Sequence, residues 1–153
     1  MSDRKAAISI LLAGVIAFLL GACAGAQGPS LKAQFGGLPK PPPDQGRIYF
    51  YRTDFPWMVA VEPDVIVNGR KVGTAQFDRF FYKDAKPGRY EVFLTSDPDK
   101  PVYFTVAPGE SRFVKTVVRF ALTGTKLTPA VIEAERGRNE VENLKTTPPA
   151  PAE

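Results

Sequence analysis

Between Arg47 and Phe120 the chain alternates apolar and polar residues in short runs separated by turn residues, the signature of strands with one covered face. Ile48-Tyr49-Phe50-Tyr51, flanked by Arg47 and Arg52, puts Ile48 and Phe50 on one face and Tyr49 and Tyr51 on the other, so both faces of this strand are expected to be covered. Val65-Ile66-Val67 leads into Asn68-Gly69 and out through Arg70-Lys71-Val72. Asn-Gly is the pair that accepts positive φ at both central positions of a type I′ turn, which predicts a hairpin here. Phe77 to Tyr82, the turn Ala85-Lys86-Pro87-Gly88 and the alternating Tyr90, Val92 and Leu94 predict a second hairpin. After the Asp97-Pro98-Asp99 break, Val102, Phe104 and Val106 share a face, and Ala107-Pro108-Gly109-Glu110 turns the chain into a strand from Arg112 to Phe120. Pro-Gly thus stands ahead of two alternating strands, a weak internal echo.

The C-terminal part is more open. Thr128-Pro129 suits a helix start, with proline at the first helical position, but Val131-Ile132 suits a final strand. A strand from about Leu127 to Glu133 is favoured, followed by a short helix from about Asn139 to Lys145 with Val141 and Leu144 on its core side. The prediction is an all-β fold: a small antiparallel β-sandwich of about seven strands over residues 47–145, with a short C-terminal helix. Residues 146–153, with Pro148, Pro149 and Pro151, are expected to be disordered.

Upstream the pattern changes. Arg4 and Lys5 precede an apolar run from Ala6 to Leu20, uncharged and broken only by Ser9, which leads into Leu20-Gly21-Ala22-Cys23, the chain's one cysteine. A charged start, a short apolar stretch and small residues before a cleavage point mark a secretory signal peptide, expected over residues 1–22. As a helix the run reaches about 22 Å, short of the roughly 30 Å hydrocarbon core, although the uncharged residues up to Ala26 leave an uncleaved, tilted anchor as the alternative. Residues 24–46 include ten prolines and glycines and few apolar groups, so with Cys23 they form an expected flexible tether over 23–46. Lys40-Pro41-Pro42-Pro43 reads as a stiff spacer, or as a docking motif for a reader of polyproline helices.

Composition narrows the function classes. With Arg4, Lys5 and Asp3 set aside, 18 of the 20 basic and 15 of the 16 acidic residues remain, alternating along the chain. A nucleic-acid binder concentrates its cations on one face, and this chain does not. The chain has no histidine, which removes the usual general base, proton shuttle and commonest metal ligand together. Neither a glycine-rich phosphate loop nor a zinc-ligand spacing is present, so no cofactor, metal or catalytic residue is assigned and the chain does not read as an enzyme. Asp97 with Asp99, and Asp54 with Glu62 and Asp64, would suit calcium or a glycosidase pair in principle; turn-forming aspartate beside proline accounts for them better.

Most of the aromatics are what a sandwich interior requires. Asp54-Phe55-Pro56-Trp57-Met58 differs, because three large apolar groups fall in a predicted loop, and Phe80-Phe81-Tyr82 cannot all face one side of a strand. Phe55, Trp57, Met58 and Phe81 are therefore the candidate interaction surface, for an envelope protein or, with Trp57, Tyr49 or Tyr51 stacking on sugar rings, for a glycan such as peptidoglycan.

Two resemblances attach to these residues. Leu20-Gly21-Ala22-Cys23 resembles the lipobox of bacterial lipoproteins. It implies diacylglyceryl transfer to the Cys23 thiol, cleavage before Cys23 and a lipid anchor in the cell envelope; Ala24, where an aspartate would retain the protein at the inner membrane, favours the outer membrane facing the periplasm. The order Arg47-Ile48-Tyr49-Phe50-Tyr51-Arg52, Val67-Asn68-Gly69-Arg70-Lys71-Val72-Gly73, Lys86-Pro87-Gly88-Arg89-Tyr90-Glu91-Val92 and Val106-Ala107-Pro108-Gly109-Glu110 resembles a bacterial lipoprotein family of unknown function, whose domain is similar to PEGA and transthyretin-like sandwiches. That resemblance implies a fold and a non-catalytic interaction or scaffolding role, and no site residue.

Overall fold

The computed structural model describes residues 32, 36–53, 56–122 and 124–144. Among them are eight strands and a C-terminal helix: β1 (Gly46–Arg52), β2 (Asp64–Val67), β3 (Arg70–Thr74), β4 (Arg79–Ala85), β5 (Gly88–Leu94), β6 (Val102–Val106), β7 (Ser111–Ala121), β8 (Gly124–Ile132) and α1 (Ala134–Glu142). A single 3₁₀ turn covers Pro56–Met58. Two four-stranded sheets, in the orders β4-β1-β7-β8 and β3-β2-β5-β6, face each other as a sandwich. All ladders are antiparallel except β1 with β7.

Strand β1 is buried along its whole length, and its alternation sorts two cores. Ile48 and Phe50 point between the sheets, with Val65, Val67, Val92, Leu94, Val106, Val114 and Leu127. Tyr49 and Tyr51 point the other way, into a second cluster with Leu38, Phe80, Phe113, Val141 and Leu144. That outer cluster is roofed by α1, so the first sheet is covered on both sides, as the aromatic alternation of β1 requires.

The Asn68-Gly69 hairpin forms between β2 and β3 with φ of 47° and 77°, the type I′ signature. The second predicted hairpin does not form: β4 pairs with β1, whereas β5 pairs with β2 and β6 in the other sheet. The physical reason lies in Lys86-Pro87. Type I′ needs positive φ at both central residues and type II′ at the first; proline is locked near −65° and Lys86 has no positive φ, so the turn cannot close a tight hairpin. The Pro108-Gly109 turn behaves alike. Glu110 N–H bonds Ala107 O at 3.2 Å with Gly109 at φ 72°, a type II turn, which splays its flanking strands and carries β6 into β7 of the opposite sheet. The echoed Pro-Gly pairs thus mark two of the four points where the chain changes sheet, the others being the connections from β1 to β2 and from β3 to β4.

The last segment is a strand, as favoured over a helix, but it runs Gly124–Ile132 instead of about Leu127 to Glu133, and α1 begins at Ala134 instead of about Asn139. Glu133 caps it, its carboxylate accepting from the N–H groups of Glu135 and Arg136 at 3.0 and 3.1 Å. Val141 and Leu144 are buried as expected. The segment expected as a flexible tether up to residue 46 is held against the sandwich over its last part. From Gly36 onward it is docked: Leu38 is buried, its N–H donates to Glu142 Oε1 at 3.2 Å, and Pro39 O accepts from Tyr49 OH at 3.2 Å and from Arg47. Proline and glycine content misses this because one leucine and two backbone groups suffice to hold the segment. The expected leader, Leu20, Gly21, Ala22 and Cys23, and the tail 146–153 lie outside the described residues.

Close packing between strands makes a local prediction. A Cβ added at Gly73 in β3 would lie 2.6 to 3.0 Å from the outer ring atoms of Phe81, whose ring is stacked on Phe50 with centroids 5.0 Å apart and cannot withdraw. Gly73→Ala is expected to cost about 1 to 2 kcal/mol in the wild type through overpacking. With Phe81→Leu those ring atoms are gone, and the same substitution is expected to stabilise by about 0.5 to 1 kcal/mol, since alanine loses less chain entropy than glycine. Denaturant titration of the four-variant cycle checks it; equal effects in both backgrounds would refute the contact.

Candidate functional site

Strand register gathers one set of loops at one end of the sandwich. β1 and β7 run in parallel and pair as far as Tyr51 with Lys115, after which β7 continues to Ala121 and turns back as β8. The tip of this hairpin therefore projects past the end of β1, the end from which the loop after Arg52 departs. β4 starts there too, Arg79 opposite Arg52, and in the second sheet β2 begins, β3 ends and β5 ends on that side.

This end carries exposed apolar side chains. Trp57 is 73 % exposed, Phe120 77 % and Leu122 fully so, with Val59 and Val61 also exposed. The two other large exposed apolar residues among the described residues, Tyr103 and Val131, sit within β6 and β8. At the opposite end the turns Asn68-Gly69, Lys86-Pro87 and Pro108-Gly109 present polar groups and backbone.

The loop at this end is organised from within by Arg52. Its side chain is 0 % exposed, and its guanidinium donates to Val61 O at 2.6 Å, Met58 O at 2.7 Å and Ala75 O at 3.3 Å, with Phe77 5.9 Å from the cation. Among the described residues no carboxylate pairs with it directly; burial lowers its pKa, partly opposed by the field of Glu62. Nε has no partner. Arg52 thus acts as a fork-shaped donor that pulls three carbonyls inward. Two of the loop's N–H groups are also bonded internally, Val59 to Pro56 O at 3.2 Å and Val61 to Met58 O at 3.0 Å. With these groups turned in, the loop leaves Trp57, Val59 and Val61 exposed.

The hairpin base is fixed by a second buried charge. Asp97, expected only as a turn former, is buried and accepts from Arg119 at 2.6 and 3.0 Å and from Lys126 at 3.3 Å. The Arg119 hydrogen bonds, aided by Lys126, hold its carboxyl below the usual range. Ser96 Oγ bonds Leu127 O at 2.7 Å beside it. Asp64 is engaged by Lys71 at 2.8 Å, and among the described residues no group of three acidic or thiol side chains could hold a metal ion.

A third charged group lies under α1. Glu140 accepts from Lys115 at 2.9 Å, Tyr51 OH at 3.0 Å and Arg136 at 2.8 Å; burial pushes its pKa up, but these bonds outweigh burial and hold the carboxyl low. Arg47 binds Asp84 in bidentate fashion at 2.6 and 3.0 Å and lies 4.2 Å over the Tyr82 ring, and the Asp84 bond raises its pKa. These ions are spent on each other, fastening helix and tether to the sheet.

Of the candidate surface residues, Trp57 is on the exposed end, and Met58 is half-buried and packed against the main core. Phe81 points inward: it too packs against the main core, while Phe80 and Tyr82 face the α1 side, because consecutive strand residues alternate. Phe55 lies outside the described residues. Tyr49 and Tyr51 are buried, which leaves Trp57 alone of the three proposed sugar-stacking rings on the surface. Phe120, Leu122 and the loop-holding role of Arg52 were not legible from spacing. Among the described residues no helix is long and apolar enough to cross a membrane.

No curated protein and no solved structure matches the chain. Residues 42–128, from just before β1 to within β8, match the family described as a protein of unknown function, DUF2846. The match covers more than half of the chain and spans all eight strands at least in part, with α1 beyond its end; the chain belongs to the DUF2846 family.

Proposed function

We propose that this chain is a bacterial cell-envelope lipoprotein, acylated at Cys23, whose β-sandwich, of the PEGA-like or transthyretin-like kind, is a non-catalytic interaction module working through the end that carries Trp57. The order charged start, apolar run, Leu20-Gly21-Ala22-Cys23 supports the anchor. The observation that carries the interaction reading is that two separate elements, the Pro56–Val61 loop and the β7–β8 tip, leave exposed apolar side chains towards the same end of the sandwich. Soluble domains seldom leave several large apolar groups together in water without a use for them.

A photo-crosslinking residue at Leu122, compared with one at Lys71 on the polar side, tests this in intact cells. Adducts from position 122 and none from 71 are expected. Equal background from both positions would reject the surface, and an unmodified Cys23 in the mass spectrum of the N-terminal peptide would reject the anchor.

A further inference from the structure

We infer that the apolar end is a bilayer-contact surface: Trp57, Phe120 and Leu122 dip into the interfacial layer of the membrane to which the chain is anchored. The inference rests on the lipid-anchor reading above and names what that end touches.

The first argument is the state of the loop backbone. Entering a lipid interface strips water from backbone groups, which is costly unless they are paired internally. In the Pro56–Val61 loop the carbonyls of Met58 and Val61 are held by Arg52, and the N–H groups of Val59 and Val61 are bonded within the loop. These bonds lower the cost of entry for part of the loop, whose exposed residues are Pro56, Trp57, Val59, Ala60 and Val61. The second argument is shape. Leu122 stands clear at a hairpin tip and Trp57 on a separate loop, so the apolar groups are convex prongs, suited to a soft medium. Tryptophan, phenylalanine and leucine are also the residues that interfacial segments bury.

Chain length allows it. Leu38 joins the body beside Tyr49 and Tyr51, and Leu122 lies seven residues along β7 and its turn beyond Lys115, the partner of Tyr51, or about 23 Å. The 13 residue steps from Cys23 to Gly36 reach at most about 45 Å. An anchor at Cys23 therefore lets this end lie on the same bilayer. Magnitude explains why both devices are needed. Each large side chain favours apolar surroundings by roughly ten- to hundredfold, so three together match a single myristoyl chain at about 10⁴ M⁻¹, marginal for a free protein. A tether that holds the end at roughly millimolar effective concentration makes the contact persistent. Exposed charges here are mixed, Arg79 and Lys100 against Glu62, Asp78 and Asp99, so the contact is apolar in origin and does not depend on anionic lipid.

Trp57 is the only tryptophan and serves as its own reporter. The acylated full chain is placed in phosphatidylethanolamine–phosphatidylglycerol vesicles, with and without lipids brominated along the acyl chains. The expected result is Trp57 emission at shorter wavelength than in detergent-free buffer, quenching by the brominated lipids, and loss of both in Leu122→Asp and in Phe120→Asp, whose circular dichroism stays that of the wild type. Unquenched Trp57 in chains shown by mass to be acylated overturns this inference and leaves the anchor standing. So does a Trp57 shift that appears only on adding envelope protein. A chain without lipid on Cys23 overturns the anchor and, with the tether gone, this inference too.

Discussion

Arg52→Met is expected to destabilise the domain by about 3 kcal/mol and to release the Pro56–Val61 loop. Methionine fills much of the volume, so the loss is in hydrogen bonding: the carbonyls of Met58, Val61 and Ala75 lose their donor. An unsatisfied buried polar group costs about 1 to 3 kcal/mol. Removing a buried charge returns part of its desolvation cost, and replacing whole ion pairs by apolar residues is often neutral for that reason. Here the partners are backbone and cannot be replaced with the cation. The loop can move to recover water, so the sum stays near 3 kcal/mol, below three full penalties. Arg52→Lys should fall between, because an ammonium offers three donors without the planar fork. A urea titration would read the loss as a midpoint lowered by about 1 to 2 M. Limited proteolysis should cut the variant between Pro56 and Val61 and leave the wild type whole. An unchanged midpoint with an uncut loop would mean that Arg52 does not hold this end together.

How far the fold was readable from sequence follows from the range of each signal. Alternation is local, and it placed Ile48 and Phe50 in one core and Tyr49 and Tyr51 in the other. Asn68-Gly69 is local too, and it is the turn its residue types demand. Pairing across sheets is not local: Pro87-Gly88 announces a reversal but does not say which strand receives β5. Helix α1 hid its start because glutamate is an uncommon cap and Gly137 interrupts its interior. Gly137 is there for contact, since a Cβ would overlap Cβ and Cγ of Phe113 beneath it. Pro129 carried a signal in the other direction. It lies inside β8, which pairs only with β7, and an edge strand is where a residue without an N–H is tolerated. Trp57 could be picked out because it falls in a loop. Phe120 and Leu122 could not, because their placement towards the same end as Trp57 depends on the parallel pairing of β1 with β7, some sixty residues apart in the chain.

The contact under α1 is also where the largest loss from a single side chain is expected. Phe113 is wholly buried at the centre of the outer cluster, its ring stacked on Tyr49 with centroids 5.1 Å apart and planes 9° from parallel, and α1 crosses it at Gly137. Phe113→Ala removes a ring that touches sheet, helix and tether cluster together, and the ions around it cannot close the gap, since Lys115, Glu140 and Tyr51 are held in mutual geometry. A loss of about 4 kcal/mol is expected, the middle of the range for buried phenylalanine, against a total of about 5 to 15 kcal/mol for a domain of this size. The position of the loss distinguishes this from a general core defect. Amide exchange should rise first in Ala134–Glu142 and at Leu38, whose N–H is held by Glu142, while β2, β5 and β6 on the far side keep their protection. Were α1 a loose appendage, the cost would be near 1 kcal/mol and exchange in the helix would already be fast in the wild type.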